Sequence, residues 1–220
     1  MLKFDPLNPF PLLAEEGHSY ADAQAHSTVV DAWLGLEVDA AEAIVSANPN
    51  EQDQNLWRDL PAKTLLTPYT ELRRILGLLD PQPGDLVVDL GAAYGRMGFV
   101  IAEHYPGTQF VGYELADARV NAGVAAMKQR HLPNLIRLEK ADLSSLEFRP
   151  ETARFYFLYD YGSRRAIQKT LDDLREISVT KKIRVVGRGR AVRDAIEREC
   201  PWLSQVNQPV HTSHFSIYSS

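Results

Sequence analysis

Cysteine is almost absent from this 220-residue sequence, which contains only Cys200. A single cysteine excludes an internal disulfide and a cysteine-rich metal site, so nothing points to a disulfide-stabilised secreted protein. We expect Cys200 to be a small residue in the core or at the end of a helix rather than a catalytic thiol.

Long apolar runs are also lacking from the sequence. No segment approaches the roughly 20 apolar residues that a membrane helix needs. The first residues, MLKFDPLNPFPLL, are interrupted by prolines where a signal peptide would have an unbroken apolar core. We therefore expect no membrane segment and a cytoplasmic protein.

Basic residues do not outnumber acidic ones, because 24 lysines and arginines stand against 29 acidic residues, a formal net charge of -5. Proteins that bind phosphate backbones usually show a basic excess, so we do not expect a nucleic acid partner. Hydrophobic residues make up 45% of the chain, enough for one substantial core with an appendage. The composition does not indicate an oligomeric state.

Residues 1–66 predict an N-terminal helical extension, or cap. Apolar residues recur at helical spacing from Ser19 to Ala47, which predicts two short helices, and residues 56–60 predict a further helical turn. We expect Trp33 and Trp57 to be core anchors of this cap. Its histidines are expected at the helix surface: His18 and His26.

Residues 67–220 predict the main unit, which begins with the helix TPYTELRRILGLL. Thr67 has the side chain of a helix N-cap, and Pro68 suits the first helical position. The apolar stripe of this helix consists of Leu72, Ile75 and Leu79.

Apolar strands and helices alternate after this helix, which predicts a parallel sheet covered by helices on both faces. The predicted parallel strands are Leu86 to Leu90, Gln109 to Tyr113, Leu135 to Glu139, Phe155 to Tyr159 and Ile183 to Val186. Trp202 to Val206 and Phe215 to Tyr218 leave no room for a crossover helix between them, so they predict a closing antiparallel hairpin.

The stretch LVVDLGAAYGRMG, residues 86–98, combines a strand, an acid and three spaced glycines. In a doubly wound sheet, such a turn lies where ligands bind, outside the carboxyl ends of the strands. Gly91 and Gly95 would let the backbone approach a ligand, and Gly98 would let the next helix pack closely. The spacing is not the G-x-G-x-x-G of a dinucleotide site, and Asp89 would repel a pyrophosphate but attract an ammonium group.

Two further acids follow the next two strands. Glu114, in VGYEL, stands where an acid commonly accepts hydrogen bonds from a ribose diol, and Asp142, in KADLSS, can accept from the exocyclic amine of an adenine. This series suits a ligand with an amino acid, a ribose and an adenine but no phosphate. S-adenosylmethionine is such a ligand.

The three segments resemble those of class I S-adenosylmethionine-dependent methyltransferases. The resemblance covers roughly residues 67–220 and implies a Rossmann-like α/β fold of seven strands in the order 3-2-1-4-5-7-6, with strand 7 antiparallel. Ala93 departs from the family, which usually has a glycine there. The cofactor contacts that the resemblance implies are Gly91, Ala92 and Gly95 in the loop, Asp89 at the loop or the methionine ammonium, Glu114 at the ribose, and Asp142 with Leu143 at the adenine.

The layout of TPYTEL, VDLGAAYGR and GYEL is similar, more narrowly, to the non-SET histone lysine methyltransferases and related small protein-lysine methyltransferases. That likeness implies that Tyr69, Thr70 and Glu71 touch the methionine end of the cofactor. Alternatively, Thr67 caps the helix and Glu71 favours its first turn through the helix dipole. The chain shows no basic segments like those through which the nucleosome enzymes bind, so we do not expect a nucleosomal histone as substrate.

The fourth strand, in FYFLYDYGS, brings three candidate catalytic residues to the acceptor side of the site: Tyr159, Asp160 and Tyr161. Asp160 could orient an amine acceptor or accept its proton, and the two tyrosines could line an acceptor channel. Phe155 and Phe157 are expected to pack against helices. The segment lacks the proline pair of adenine-methylating enzymes.

VVGRGRAVR places Arg188 and Arg190 after the fifth strand, where they could bind a carboxylate or phosphate of the substrate. Alternatively, they begin a solvated helix or pair with nearby acids. His211 and His214 have no acidic or cysteine partners in a ligand pattern, so no metal site is expected.

Three functions fit the sequence. The first is a methyltransferase for an amine acceptor, including a protein lysine, with the N-terminal helices shaping the acceptor pocket. The second is a methyltransferase for a small acidic metabolite, for which the arginines are the discriminating feature. The third is a non-catalytic S-adenosylmethionine-binding module. The expected partner is a protein or small-molecule methyl acceptor.

Overall fold

The computed structural model describes residues 2–14, 17–48 and 62–220. Its helices are α1 (Tyr20–Leu34), α2 (Val38–Ala47), α3 (Ala62–Leu65), α4 (Tyr69–Leu79), α5 (Arg96–His104), α6 (Asp117–Gln129), α7 (Arg164–Ser178) and α8 (Arg190–Glu199). Its strands are β1 (Leu86–Leu90), β2 (Gln109–Glu114), β3 (Ile136–Lys140), β4 (Phe155–Tyr159), β5 (Arg184–Arg188), β6 (Val210–His211) and β7 (Phe215–Ser219). The helical turn expected at residues 56–60, with Trp57, lies outside the described residues.

The strands form a seven-stranded sheet in the order β3-β2-β1-β4-β5-β7-β6. β1 to β5 pair in parallel, and β7 runs antiparallel to both β5 and β6. The strand order reverses between β1 and β4, and a crevice outside the carboxyl ends of the strands is expected there. The predicted α/β sheet and its strand order are confirmed.

Alternate residues of the central strands β1 and β4 enter one of two apolar layers. On one face of the sheet, Val87, Phe155 and Phe157 pack with α1, α2, α4, α5 and α6. On the other face, Val88 and Leu90 pack with α7 and α8. The prediction that Phe155 and Phe157 are core residues is therefore confirmed.

The C-terminal hairpin differs from its prediction. Residues 202–206 form no strand, because Pro201–Leu203 make a 3-10 turn that buries Leu203 in the core. The partner of β7 is the two-residue strand β6. Cys200, just before this turn, is buried as expected, and burial raises the pKa of its thiol to about 11.

Helix α4 begins later than predicted. Thr67 does not cap it, because Pro68 occupies the N-cap position in extended backbone and no side chain caps the helix. Thr67 is buried, and its carbonyl oxygen accepts a hydrogen bond of 3.1 Å from Nη1 of Arg96. This bond ties the chain before α4 to the first turn of α5.

A buried ion pair joins α1 to α5. Nε of Arg96 donates to Oδ1 of Asp31 at 3.1 Å, and a second contact joins Nη2 to Oδ2. The hydroxyl of Tyr69 also donates to Oδ1 of Asp31 at 2.8 Å. Burial alone would lower the pKa of Arg96, but the charge and hydrogen bonds of Asp31, together with Tyr69 and Tyr94, outweigh it and the pKa is raised. Arg96 therefore stays charged inside the core.

The prediction that His18 and His26 lie at the helix surface is wrong for both residues. His26 is only 2% exposed, because the segment carrying Phe4 packs over this face of α1 with Phe4 against His26 and Trp33. Burial lowers the pKa of His26, which stays neutral. His18 is half-buried and precedes α1. Trp33 packs against the core, as predicted.

Among the described helices, none combines the length and apolar character needed to cross a membrane.

We expect Asp31→Ala to lower the free energy of unfolding by about 3–5 kcal/mol, because it leaves the charge of Arg96 buried and unpaired. Urea denaturation measures the loss. The control Glu103→Gln changes an exposed acid on α5, the helix that also carries Arg96. It should lower the free energy of unfolding by less than about 0.5 kcal/mol. Similar small losses in both variants would show that the ion pair does not hold α1 in place.

Candidate functional site

The turn between β1 and α5 has backbone that favours glycine. Gly91 has a φ of 92° and Gly95 a φ of 68°. A Cβ on Gly91 would lie 2.8 Å from Cβ of Tyr161, so a larger residue does not fit there. Ala93, where the family usually has glycine, also lies in the left-handed region, with a φ of 48°. The departure from the family therefore falls on a backbone conformation that strains an alanine.

Gly98 serves packing rather than the turn. A Cβ there would lie 2.8 Å from Cγ2 of Ile136 and 2.9 Å from Cδ1 of Phe110. The first turn of α5 therefore approaches β2 and β3 closely, as predicted from the sequence.

Asp89 is a buried acid with an unsatisfied oxygen. It is 5% exposed, and its Oδ1 has no hydrogen-bond partner among the described residues. Burial, and then the charge of Glu114, raise the pKa of Asp89 to about 8. A cation beside Asp89 would stabilise its ionised form and satisfy Oδ1.

Glu114, at the end of β2, is held in one orientation by backbone groups. Its Oε2 accepts from the N–H of Ala93 at 2.9 Å, and its Oε1 accepts from the N–H of Ala116 at 3.0 Å. Nη1 of Arg119 lies 3.5 Å from the same Oε1. Each carboxylate oxygen retains a second lone pair for a ligand.

Glu114 lines a cavity at the carboxyl edge of the sheet. It is lined, among others, by Gly91, Glu114, Asp142, Leu143 and Tyr159. A smaller cavity shares Gly91, Ala93 and Tyr159 with it and is also lined by Asp89 and Ala92.

Asp142 is held on one side by its own loop, because its Oδ1 accepts from the N–H of Ser144 at 2.9 Å and from its hydroxyl at 2.6 Å. Gly95 lies behind the turn, where a Cβ would be 2.6 Å from Cε of Met127. The structure thus brings together the residues expected at the ribose and adenine, whereas Gly95 shapes the loop from outside the cavities.

Three residues expected at the methionine end of the cofactor lie away from the two cavities beside the turn, because none of them lines either cavity. Tyr69 donates to Asp31, Glu71 pairs with Arg188, and the buried hydroxyl of Thr70 has no partner among the described residues. Their contact with the cofactor stays a prediction. Both cavities are lined instead by two residues that the sequence analysis missed, Leu65 and Leu66.

Asp160 reaches the edge of the cavity, but its carboxylate caps α8. Its Oδ1 accepts from the N–H of Val192 at 2.9 Å, and its Oδ2 accepts from the N–H of Ala191 at 3.2 Å. A Cβ on Gly189 would lie 2.3 Å from Cγ of Asp160, so glycine makes room for this cap. Each of these oxygens retains a second lone pair, so the expectation that Asp160 orients an amine acceptor or accepts its proton stays a prediction.

The two tyrosines of this segment differ in their surroundings. The hydroxyl of Tyr161 donates to Thr170, so it is turned toward α7. Tyr159 lines both cavities beside the turn, and the guanidinium of Arg188 lies 4.1 Å from the centre of its ring. Burial raises the pKa of Tyr159, and the charge of Arg188 offsets this in part. Tyr159 therefore stays protonated near neutral pH.

The two arginines after β5 also have different roles. Arg188 is buried, pairs with Glu71 at 2.5 Å and donates to the hydroxyl of Tyr20 at 2.9 Å. The alternative of pairing with a nearby acid thus describes Arg188. The side chain of Arg190 is 86% exposed and lies 3.6 Å from Asp194. Arg188 and Arg190 both line a further cavity of about 450 Å³. Tyr159 lies between this cavity and the one that contains Glu114, because it lines both.

No protein-family model matches the sequence, and no curated protein matches it. Solved structures do match the fold. The RNA methyltransferase from Salinibacter ruber, in complex with S-adenosyl-L-homocysteine, has a TM-score of 0.52 and 23% identity over 70% of this chain and 91% of its own. The pyocyanin biosynthetic protein PhzM has a TM-score of 0.57 and 15% identity over 94% of this chain and 74% of its own. The chain has the class I S-adenosylmethionine-dependent methyltransferase fold.

A third similar structure with this fold is TrmN from Thermus thermophilus, with a TM-score of 0.52 and 17% identity. The match covers 70% of this chain and 48% of TrmN. In the class I fold seen here, Asp89 lies near the end of β1, Glu114 ends β2, Asp142 follows β3, and Tyr159 ends β4. These side chains therefore meet where the strand order reverses.

We expect Asp89→Asn to stabilise the ligand-free protein increasingly as the pH rises from about 4 to about 8. The folded pKa of Asp89 lies above its unfolded value, so the protonated acid contributes stability at low pH, and that stability is lost as the pH rises toward 8. Asparagine does not ionise, so the variant lacks this loss, which is at most about 1.4 kcal/mol of unfolding free energy per pH unit. Thermal unfolding of both proteins across this pH range measures the difference. Parallel pH profiles would contradict a raised pKa at Asp89.

Proposed function

We propose that this protein is an S-adenosylmethionine-dependent methyltransferase that acts on an amine acceptor. The observation that carries the proposal is the buried Oδ1 of Asp89, which has no partner among the described residues and lies beside a glycine turn. Glu114 and Asp142 lie in the adjoining cavity. The bound S-adenosyl-L-homocysteine of the Salinibacter ruber enzyme, which has the same fold, supports this cofactor class.

The residues of the site fit the cofactor group by group. Asp89 would accept hydrogen bonds from the methionine ammonium, Glu114 from the ribose hydroxyls and Asp142 from the adenine amine, with Leu143 against the ring. Gly91 would leave room for the cofactor to approach the backbone. When bound, S-adenosylmethionine supplies an electrophilic methyl group on a sulfonium sulfur.

The protein's part in the reaction is to align the acceptor, exclude water and keep the nucleophile neutral. Tyr159 and Leu66 line the space beside the turn and keep water from it. Tyr159 stays protonated and can donate a hydrogen bond that orients the acceptor. Asp160, at the edge of the same cavity, retains a second lone pair on each oxygen and would orient an acceptor amine or accept its proton.

We further propose that residues 1–66 form a cap on a methyltransferase domain of residues 67–220. The side chain of Tyr20, at the start of α1, lines the cavity beyond Tyr159. The cap would thus contribute to the acceptor pocket. The narrower likeness to protein-lysine methyltransferases makes a protein lysine the first amine to test.

The proposed cofactor site is tested by calorimetric titration with S-adenosylmethionine, S-adenosylhomocysteine and reduced nicotinamide adenine dinucleotide. We expect the first two ligands to bind and Glu114→Ala to weaken both by about tenfold or more, because it removes hydrogen bonds from a charged acceptor. Glu147→Ala, which changes an exposed acid beyond the cavity, should bind like the wild type. Binding of the nicotinamide cofactor alone would refute the proposal.

A second candidate function is methyl transfer to an anionic acceptor. Arg190 and Arg193 line the cavity that Tyr159 joins to the cofactor site, and they are accompanied there by the acids Asp194 and Glu197. The arginines favour a small acidic metabolite. One matching structure is an RNA methyltransferase, so the expectation of no nucleic acid partner stays a prediction.

Transfer of labelled methyl groups to lysine peptides, RNA and small phosphorylated or carboxylated amines separates the two functions. On an amine acceptor without anionic groups, we expect the double variant Arg190→Gln, Arg193→Gln to keep its rate within about threefold. Arg190 is exposed and Arg193 is half-buried, and charges that reach solvent are screened readily. Lys181→Gln, an exposed charge beyond α7, is the matched control. A loss of tenfold or more confined to anionic acceptors would favour the second function. Cofactor binding without transfer to any acceptor would favour a non-catalytic module.

A further inference from the structure

A largely buried ion pair joins the N-terminal helices to the candidate cofactor site. Nε of Arg119, on α6, donates to Oε1 of Glu42, on α2, at 2.8 Å, and Nη2 donates to Oε2 at 2.9 Å. The two side chains are 15% and 14% exposed, respectively. The two parallel hydrogen bonds fix the position and orientation of the guanidinium.

The same guanidinium contacts the acid expected to hold the ribose. Nη1 of Arg119 lies 3.5 Å from Oε1 of Glu114, and Arg119 itself lines the cavity. Burial alone would lower the pKa of Arg119, but the hydrogen bonds of Glu42 and the charge of Glu114 together raise it. Arg119 therefore stays charged between two carboxylates.

A second contact joins Glu42 to the glycine turn. The hydroxyl of Tyr94, within the turn, donates to Oε1 of Glu42 at 2.7 Å, and its ring is fully buried. The next residue toward the N-terminus, Ala93, donates its N–H to Glu114. Glu42 therefore contacts both supports of Glu114, the turn and Arg119.

We infer that Glu42 is a positioning residue for ribose recognition, which it supports by holding Arg119 and Tyr94 in place around Glu114. The inference rests on the proposed function and adds to it that the N-terminal helix α2 takes part in cofactor recognition. Without Glu42, a shift of Arg119 would remove a charge from beside Oε1 of Glu114, and a shift of Tyr94 would move the N–H of Ala93 that holds Oε2. The carboxylate would then no longer meet both ribose hydroxyls.

A purely structural role for Glu42 predicts something different. If Glu42 only attached α2 to α6, its loss would lower stability and weaken all cofactor analogues alike. A positioning role predicts that the loss depends on the ribose hydroxyl that Glu114 binds. The readout is therefore the ratio of affinities for S-adenosylhomocysteine and its 2′-deoxy analogue.

The experiment measures both affinities by calorimetry for the wild type, Glu42→Gln and Glu114→Gln, and for the double variant. We expect the wild type to prefer the ribose ligand by about tenfold or more, as for a hydrogen bond to a charged group. Glu42→Gln should reduce this preference to about threefold or less, and should have no further effect on it in the Glu114→Gln background. Glu37→Gln, an exposed acid at the start of α2, should retain the wild-type ratio.

An unchanged ratio in Glu42→Gln, with both affinities lowered equally, would overturn the inference while leaving the cofactor proposal intact. Failure of the wild type to bind either ligand would overturn the cofactor proposal, and this inference with it. If Glu42→Gln does not fold, Arg119→Lys keeps the charge and breaks the two-bond contact, and the same ratio decides.

Discussion

A buried carboxyl group with an unsatisfied oxygen constrains the rest of the site. Leaving Oδ1 of Asp89 without a partner costs free energy, and the nearby Glu114 adds repulsion between like charges. The protein compensates around Glu114, where two backbone N–H groups and Arg119 meet the carboxylate. It does not compensate at Asp89. A ligand that brings a positive group to that oxygen would recover the cost, which is why the cofactor proposal begins there.

The N-terminal helices are part of this arrangement through two buried ion pairs. Asp31 holds Arg96 at the end of the glycine turn, and Glu42 holds Arg119 beside Glu114. Both arginines follow the acids and glycines of the sheet closely in sequence, whereas their partners come from α1 and α2. These two helices and the site therefore form one connected set of charges, in which a change in α1 or α2 reaches the groups proposed to bind the cofactor.

Much of the fold could be predicted from the sequence, because the pattern of apolar residues determines where strands lie. The bounds of β1 and β4 agree with their prediction, and the strand order agrees with the order that the resemblance to class I methyltransferases implies. The start of α4 and the C-terminal hairpin could not be predicted so well. The carbonyl oxygen of Thr67 accepts a hydrogen bond from Arg96, and Pro201 begins a 3-10 turn instead of preceding a strand. These outcomes depend on contacts between distant segments.

The candidate site also contains residues that the sequence predicts and residues whose roles depend on distant contacts. Asp89, Glu114 and Asp142 could be found because parallel strands bring their carboxyl ends to one edge. The role of Asp160 as a cap could not, because pairing of β4 with β5 brings the start of α8 beside it. The partners of Arg96 and Arg119 could not be predicted either. Asp31 lies 65 residues from Arg96 in sequence, and Glu42 lies 77 residues from Arg119.

A crystal structure with S-adenosylhomocysteine bound tests the central claim most directly. The ligand should lie across the glycine turn, with its ribose hydroxyls on Glu114 and its ammonium within about 2.7–3.2 Å of Oδ1 of Asp89. A ligand bound outside this edge of the sheet, or an ammonium held by other groups with Oδ1 still unsatisfied, would contradict it.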